Sequence, residues 1–157
     1  MNVPFAQALE RLPEYLAWHV VLSASALIAG LVISLPLAIA AARSPRVRWP
    51  VLTIASLIQT IPSLALLALF FPLLLALSAL GQQWFGQGFS ALGFLPAFLA
   101  LTLYSMLPIL RNSIAGLTGI DPAVLQAADG VGMTSRQRLL MVELPLAAPI
   151  IMAGLRT

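Results

Sequence analysis

An all-α membrane protein is the fold class this sequence predicts, on three observations. The 157 residues are 61% hydrophobic and only 8% charged, with a mean hydropathy of +1.00. Soluble domains carry roughly a quarter charged residues, so this few charges could not cover a water-facing surface. Three apolar stretches, residues 18–42, 51–80 and 92–111, reach the ~20 residues that a helix needs to cross a bilayer. None holds an acidic residue or a lysine, and none alternates apolar with polar residues as the strands of a membrane barrel do. Helices satisfy their backbone polar groups internally, which hydrocarbon demands.

The opening "MNVPFAQALERLPEYL" reads as a short amphipathic lead-in lying at the outer surface. Residues 18–42 form a retained span. A signal peptide needs a basic start and an apolar core of about 7–15 residues, whereas this stretch follows Glu10, Arg11 and Glu14 and runs much longer. Ala26, Gly30 and Ser34 recur every fourth residue in it, and small residues at that interval let a neighbouring helix approach closely. Residues 51–80 would extend roughly 45 Å as one helix at about 1.5 Å per residue. That exceeds a straight crossing, and Pro62 and Pro72 offer places to bend or break it. The third stretch closes on Arg111, read as an anchor at its cytoplasmic end.

Orientation follows from the basic residues, all of which are arginines. Arg43, Arg46 and Arg48 lie in the first link and Arg111, Arg136 and Arg138 beyond the third stretch, while "GQQWFGQGFSA" carries no charge. The positive-inside rule puts the arginine-bearing links in the cytoplasm and the N-terminus outside. Trp84 and Phe85 of the uncharged link, and His19, suit the aromatic and polar belt at the membrane surface.

A polar island follows over residues 121–145. Asp121 is a good N-cap and Pro122 suits the first helical position. That helix runs through "AVLQAA" and is stopped by Gly130 and Gly132. A second helix starts at Thr134, with Gln137 three residues on completing a capping box, and ends before Pro145. The apolar "LAAPIIMAGLRT" then covers only about 18 Å. The expectation is one transmembrane domain over residues 1–157 that stops partway into a fourth span beginning near residue 146, its C-terminal part missing.

Two amphipathic helices on the cytoplasmic side can either grip another protein in a groove or simply tidy the link between spans. The residues carry a further signal. Binding-protein-dependent ABC importers have a membrane subunit whose cytoplasmic signature runs Glu-Ala-Ala, three residues, Gly, nine residues, then an aliphatic residue, any residue and Leu-Pro. This chain has Gln126-Ala127-Ala128, three residues, Gly132, nine residues, then Val142, Glu143, Leu144 and Pro145. Gln126 departs from the usual Glu, keeping its length and hydrogen-bonding capacity without the charge. "QTIPSLALLAL", "LPILRNS" and "ELPLAAPIIMAGLRT" also resemble the osmoprotectant branch of these permeases, which imports glycine betaine, choline, carnitine and related quaternary amines.

The resemblance implies a type I ABC importer permease-like helical bundle in the cytoplasmic (inner) membrane. It implies three protein partners: an ABC ATPase subunit, a periplasmic or lipid-anchored solute-binding protein, and a second permease copy or paralogue. The island would be the coupling element, carried by Gln126, Ala127, Ala128, Gly130, Gly132, Glu143, Leu144 and Pro145. Gly130 and Gly132 would supply the tight turn, and the two alanines a small face. No P-loop and no lysine are present, so ATP would be handled by the partner.

Polar groups near mid-membrane, beside prolines, mark a translocation path: Gln59, Thr60 and Ser63 about Pro62, and Tyr104 and Ser105 before Pro108. The alternative is that these side chains only hydrogen-bond between helices. Catalysis finds no support, because one histidine and five carboxylates near the span ends assemble no nucleophile, base and orienting group. No cofactor is implied. Without cysteine, and with a lone histidine, neither a thiolate nor a His-pair metal site is available. Other readings are a secondary transporter or small membrane scaffold without an ATPase, and a membrane-tethered helix-turn-helix protein. Two arginines are a thin phosphate footprint, so a nucleic-acid partner is not expected.

Overall fold

A computed structural model describes residues 5–85 and 93–156, and among these every regular element is helical. Helix α1 spans Phe5–Arg43, α2 Pro45–Thr60, α3 Ser63–Phe85, α4 Phe94–Thr118, α5 Pro122–Gly130 and α6 Ser135–Arg138. A π-helical turn, Leu139–Glu143, leads without a break into α7, Leu144–Arg156. Four of the described helical stretches are long and apolar enough to cross a membrane: Leu9–Arg43, Ser63–Trp84, Phe94–Thr118 and Ser135–Arg156. The all-α membrane class is therefore met.

The chain forms two compact units. One takes α1 as far as Ala29, α3, and α4 as far as Thr102; the other takes Gly30–Thr60 and everything from Leu103. In the first unit the amphipathic opening is continuous with the apolar stretch after it, because α1 runs unbroken from Phe5. Helix α3 passes through Pro72 without interruption. Phe94 and Phe98, one turn apart, stack with ring centroids 5.8 Å apart. Leu64, Val20 and Trp18 stand mostly exposed, as side chains facing lipid would.

The second apolar stretch is two helices rather than one. Helix α2 stops at Thr60 and α3 starts at Ser63, leaving Ile61 and Pro62 outside both. The proline ring disfavours helical backbone at the residue before it, and Ile61 is that residue.

The second unit is built on small residues. Gly30, Ser34, Ala38 and Ala41 of α1 are all buried, so the four-residue spacing read from the sequence continues to Ala38, with Ala41 three residues on, and is used for close packing. Ala38 and Ala41 pack with Ala55 of α2 and with Leu107, Leu110 and Ile114 of α4. A second cluster joins Leu117, Ala147 and Ile151, flanked by Leu35, Ile39 and Ala42 of α1. The Ser34 hydroxyl points its Oγ at the Met106 carbonyl, 3.5 Å away.

Where α1 gives way to α2, Ser44 is the single residue between helices and Pro45 opens the next, a position where its missing N–H costs nothing. The last carbonyls of α1 would be orphaned there. The Arg48 side chain reaches back to donate to Ala41 O at 3.1 Å and Ala42 O at 3.4 Å.

Two helix ends differ from expectation. Helix α4 does not stop at Arg111 but continues to Thr118, so Arg111 is not a terminal anchor. The helix after the glycine turn does not stop before Pro145 but passes through the π turn into α7. The helical stretch runs continuously from Ser135 to Arg156, 22 residues. Proline removes a donor and crowds the carbonyl four residues back. The wider π turn just ahead of Pro145 is where the backbone absorbs that conflict, with Leu144 N donating five residues back to Leu139 O.

Candidate functional site

The polar island builds a helix, an elbow and a helix from local signals. Asp121 caps α5, its Oδ1 accepting from Ala123 N at 2.8 Å, with Pro122 at the first turn. At the other end Met133 N donates to Ala128 O at 3.2 Å and Gly132 N to Asp129 O at 3.0 Å. This pair of bonds is the Schellman closure, which places a left-handed residue just past the helix. Gly132 occupies that place with φ +82°. Gly130 is still helical with no positive φ, so the tight turn belongs to Gly132 alone.

Thr134 then caps α6 reciprocally: its Oγ1 accepts from Gln137 N at 3.3 Å, while Gln137 Oε1 accepts from Thr134 N at 2.9 Å. Both caps are legible in the sequence. Thr134→Ala is expected to loosen the start of α6 by about 1 kcal/mol, measurable as faster amide exchange at Gln137 and Arg138 with α1–α4 unaffected.

The eight residues assigned to coupling do not share one surface. Gln126, Ala127, Gly130 and Gly132 are exposed on α5 and its elbow, whereas Ala128 faces the protein and is buried. Leu144 is half-buried in the second cluster and Pro145 is exposed along α7. Glu143 is buried, with only 4% of its side chain accessible. It therefore cannot lie on a gripping surface.

Instead Glu143 is held by two guanidinium groups. Arg43 Nη2, at the end of α1, donates to both carboxylate oxygens at 2.8 and 2.6 Å, and Arg138 Nε donates to Oε1 at 2.9 Å. Arg138 Nη1 also reaches both oxygens of Asp129 on α5, at 2.6 and 2.7 Å. Two cations and two anions thus form one connected, charge-balanced chain. Sequence reasoning placed Arg43 and Arg138 only as topology signals and missed this network. Arg43 and Glu143 are 100 residues apart, and no local pattern announces such a pair.

The second group of expected residues is partly brought together. Gln59, on the last turn of α2, donates its Nε2 to the Tyr104 carbonyl on α4 at 2.9 Å. Thr60 turns back on its own helix, its Oγ1 donating to Leu57 O at 2.7 Å. Ser63 is exposed at the first turn of α3, and Tyr104 and Ser105 are half-buried on α4. An open recess of about 380 Å³ is lined by Gln59, Leu107, Pro108, Arg111 and Asn112. Arg111 Nη2 donates to Ser56 Oγ at 3.3 Å, and Asn112 Nδ2 to Pro108 O at 2.9 Å. Arg111 and Asn112 were not foreseen beside Gln59, because α2 and α4 meet only in the folded core of Ala55, Leu107 and Leu110.

Similar proteins agree with this architecture. Residues 20–157 match the family described as binding-protein-dependent transport system inner membrane component. The chain is 40% identical over 139 residues to the choline transport system permease protein OpuBB of Bacillus subtilis (strain 168), covering 88% of this chain and 57% of that protein. To the glycine betaine/carnitine/choline transport system permease protein OpuCB of the same organism it is 39% identical over 139 residues, with the same coverage of 88% and 57%. The osmoprotectant import permease protein OsmW of Salmonella typhimurium is 40% identical over 139 residues, 88% of this chain and 60% of that protein. This chain therefore spans a little over half the length of the curated relatives it matches.

Proposed function

Because this chain belongs to the family of binding-protein-dependent transport system inner membrane components, we propose that it is part of the membrane permease of an ATP-driven importer for quaternary-amine osmoprotectants. The carrying observation is the α5 elbow. The residues that match the importer signature fold as an exposed, small-faced helix, Gln126 and Ala127 outward, ending at a left-handed Gly132. That shape suits a knob seated in a cleft of a separate ATPase subunit, which would hydrolyse ATP and move the spans through the elbow. Gln126, Ala127, Gly130 and Gly132, exposed on α5 and its elbow, form the contact, while Ala128 and Leu144 shape it from within the chain and Pro145 lies apart, exposed along α7.

On the same reading the subunit sits in the inner membrane with its N-terminus outside, α5 and α6 in the cytoplasm, and residues 1–157 as part of one permease domain. Gln59, Thr60, Ser63, Tyr104 and Ser105 would border the path, with solute delivered by an external binding protein. A second permease copy or paralogue would complete the pore. The relatives named for choline, glycine betaine and carnitine support the solute class. Polar groups at an interrupted helix suit a path through lipid, and Gln59 lies one residue from the end of α2, beside the Ile61–Pro62 break.

The reading has a direct test. Full-length permease in detergent is expected to hold a P-loop ATPase. Proteoliposomes carrying both, with the binding protein outside, are expected to accumulate radiolabelled glycine betaine, choline or carnitine only when ATP is enclosed. Uptake driven by an ion gradient without ATP would replace this reading with a secondary transporter.

A further inference from the structure

We infer that Glu143 is a positioning residue of the coupling machinery. It acts inside the chain, relaying movement of the α5 elbow to the cytoplasmic-side end of α1 through Arg138 and Arg43. The inference rests on the importer reading above and adds a transmission route to it.

The geometry is specific. A carboxylate with 4% of its side chain accessible accepts three hydrogen bonds from two guanidinium groups, and one of these, Arg138, carries the connection on to Asp129. Asp129 lies three residues before Gly132, at the elbow itself, and its side chain is 56% accessible. Arg43 is the last residue of α1, immediately before the one-residue joint at Ser44. The network thus starts at the element offered to the partner and ends where α1 turns into α2.

Stability alone is a weak reason for such an arrangement. Desolvating charges is expensive, and well-packed apolar side chains often serve as well or better. What a buried ionic chain supplies is fixed geometry between the groups it joins, and charge-assisted bonds of 2.6–2.9 Å are the short, directional kind. Glu143 also closes the π turn Leu139–Glu143. The extra residue of a π turn shifts side chains off the α-helical register, which lets Glu143 point inward while the apolar face of α7 packs against α1. Since the neighbours Leu139 and Leu144 both belong to that apolar cluster, the carboxylate is the polar element in a joint that is otherwise held by non-directional contacts.

The experiment uses the complete importer, with full-length permease, ATPase and binding protein, in proteoliposomes supplied with radiolabelled glycine betaine. It reads solute moved per ATP hydrolysed. Glu143→Gln and Arg43→Gln are each expected to lower that ratio about tenfold, within what coupling networks lose on mutation, while the ATPase stays bound and hydrolyses ATP. The double variant is expected to be no worse than either single one, because both remove the same link. An unchanged ratio in the single variants overturns the inference, and so does a proportional fall in transport and hydrolysis, which marks a merely structural role. If Glu143→Gln does not accumulate, Arg43→Gln, with its side chain 43% accessible, decides the matter alone. A wild-type importer that moves no solute on ATP overturns the functional reading itself, and this inference with it.

Discussion

On the importer reading proposed above, Gly132→Val is expected to abolish ATP-driven uptake while the permease still inserts and accumulates, and Gly132→Asn to retain most of the activity. The reason lies in the backbone. Gly132 has φ +82°, and a Cβ placed there meets nothing within 4 Å. Crowding therefore plays no part, and the whole effect is conformational. A β-branched residue is a true outlier in the left-handed region, whereas asparagine visits it several-fold more readily than most. Strain of about 2–3 kcal/mol would reduce the population of the elbow geometry up to about a hundredfold. The measurement is co-purification of the ATPase together with uptake in proteoliposomes. Equal loss in the valine and asparagine variants would show that bulk, not backbone conformation, matters at this position.

The second large effect is expected at Gly154. A Cβ there would lie 2.8 Å from the Asn112 Cβ and 2.9 Å from the Pro108 carbonyl oxygen. One obstacle is backbone and the other sits at the root of a side chain, so neither can swing aside. Gly154→Ala must push α7 away from α4, and overpacking of this kind costs about 1–3 kcal/mol. The shift would also disturb Asn112 and Pro108, which line the polar recess. Thermal unfolding in detergent is expected to show the loss, with Gly130→Ala as the control. Gly130 is helical, and a methyl group added there would have no neighbour within 4 Å, so that variant should unfold like the parent. Equal stability of the two variants would mean that the α4–α7 contact is looser than its distances say.

How much of this was legible in the sequence depended on the range of the interaction. The Asp121 cap, the Thr134–Gln137 box and the stop at Gly132 are decided within a few residues, and each was read correctly. The small-residue spacing of α1 pointed to close packing, and Ala38 and Ala41 extend it into the core. Pro62 and Pro72 look alike as letters. Only Pro62 ends a helix, and Pro72 is carried inside α3. Pro145 misled for a related reason: a π turn upstream absorbs it, and no local motif announces that turn. Arg111 likewise read as an end marker because Ser56 and Gln59 come to its side only when α2 folds against α4. Family spacing found the elbow and put the buried Glu143 in the same coupling set as exposed residues, since a signature records positions and not which way they face.

The Arg43–Glu143 pair has a consequence for biogenesis. Arg43 is made 100 residues ahead of its carboxylate, so it leaves the ribosome as a bare cation. On the orientation proposed above, it acts in that interval as a retention signal holding the end of the first helix on the side of synthesis. Only when the π turn ahead of α7 has been made is the same charge neutralised. A net-charge count made on the folded protein, where Glu143 offsets Arg43, would therefore understate the basic charge present while the chain is being made.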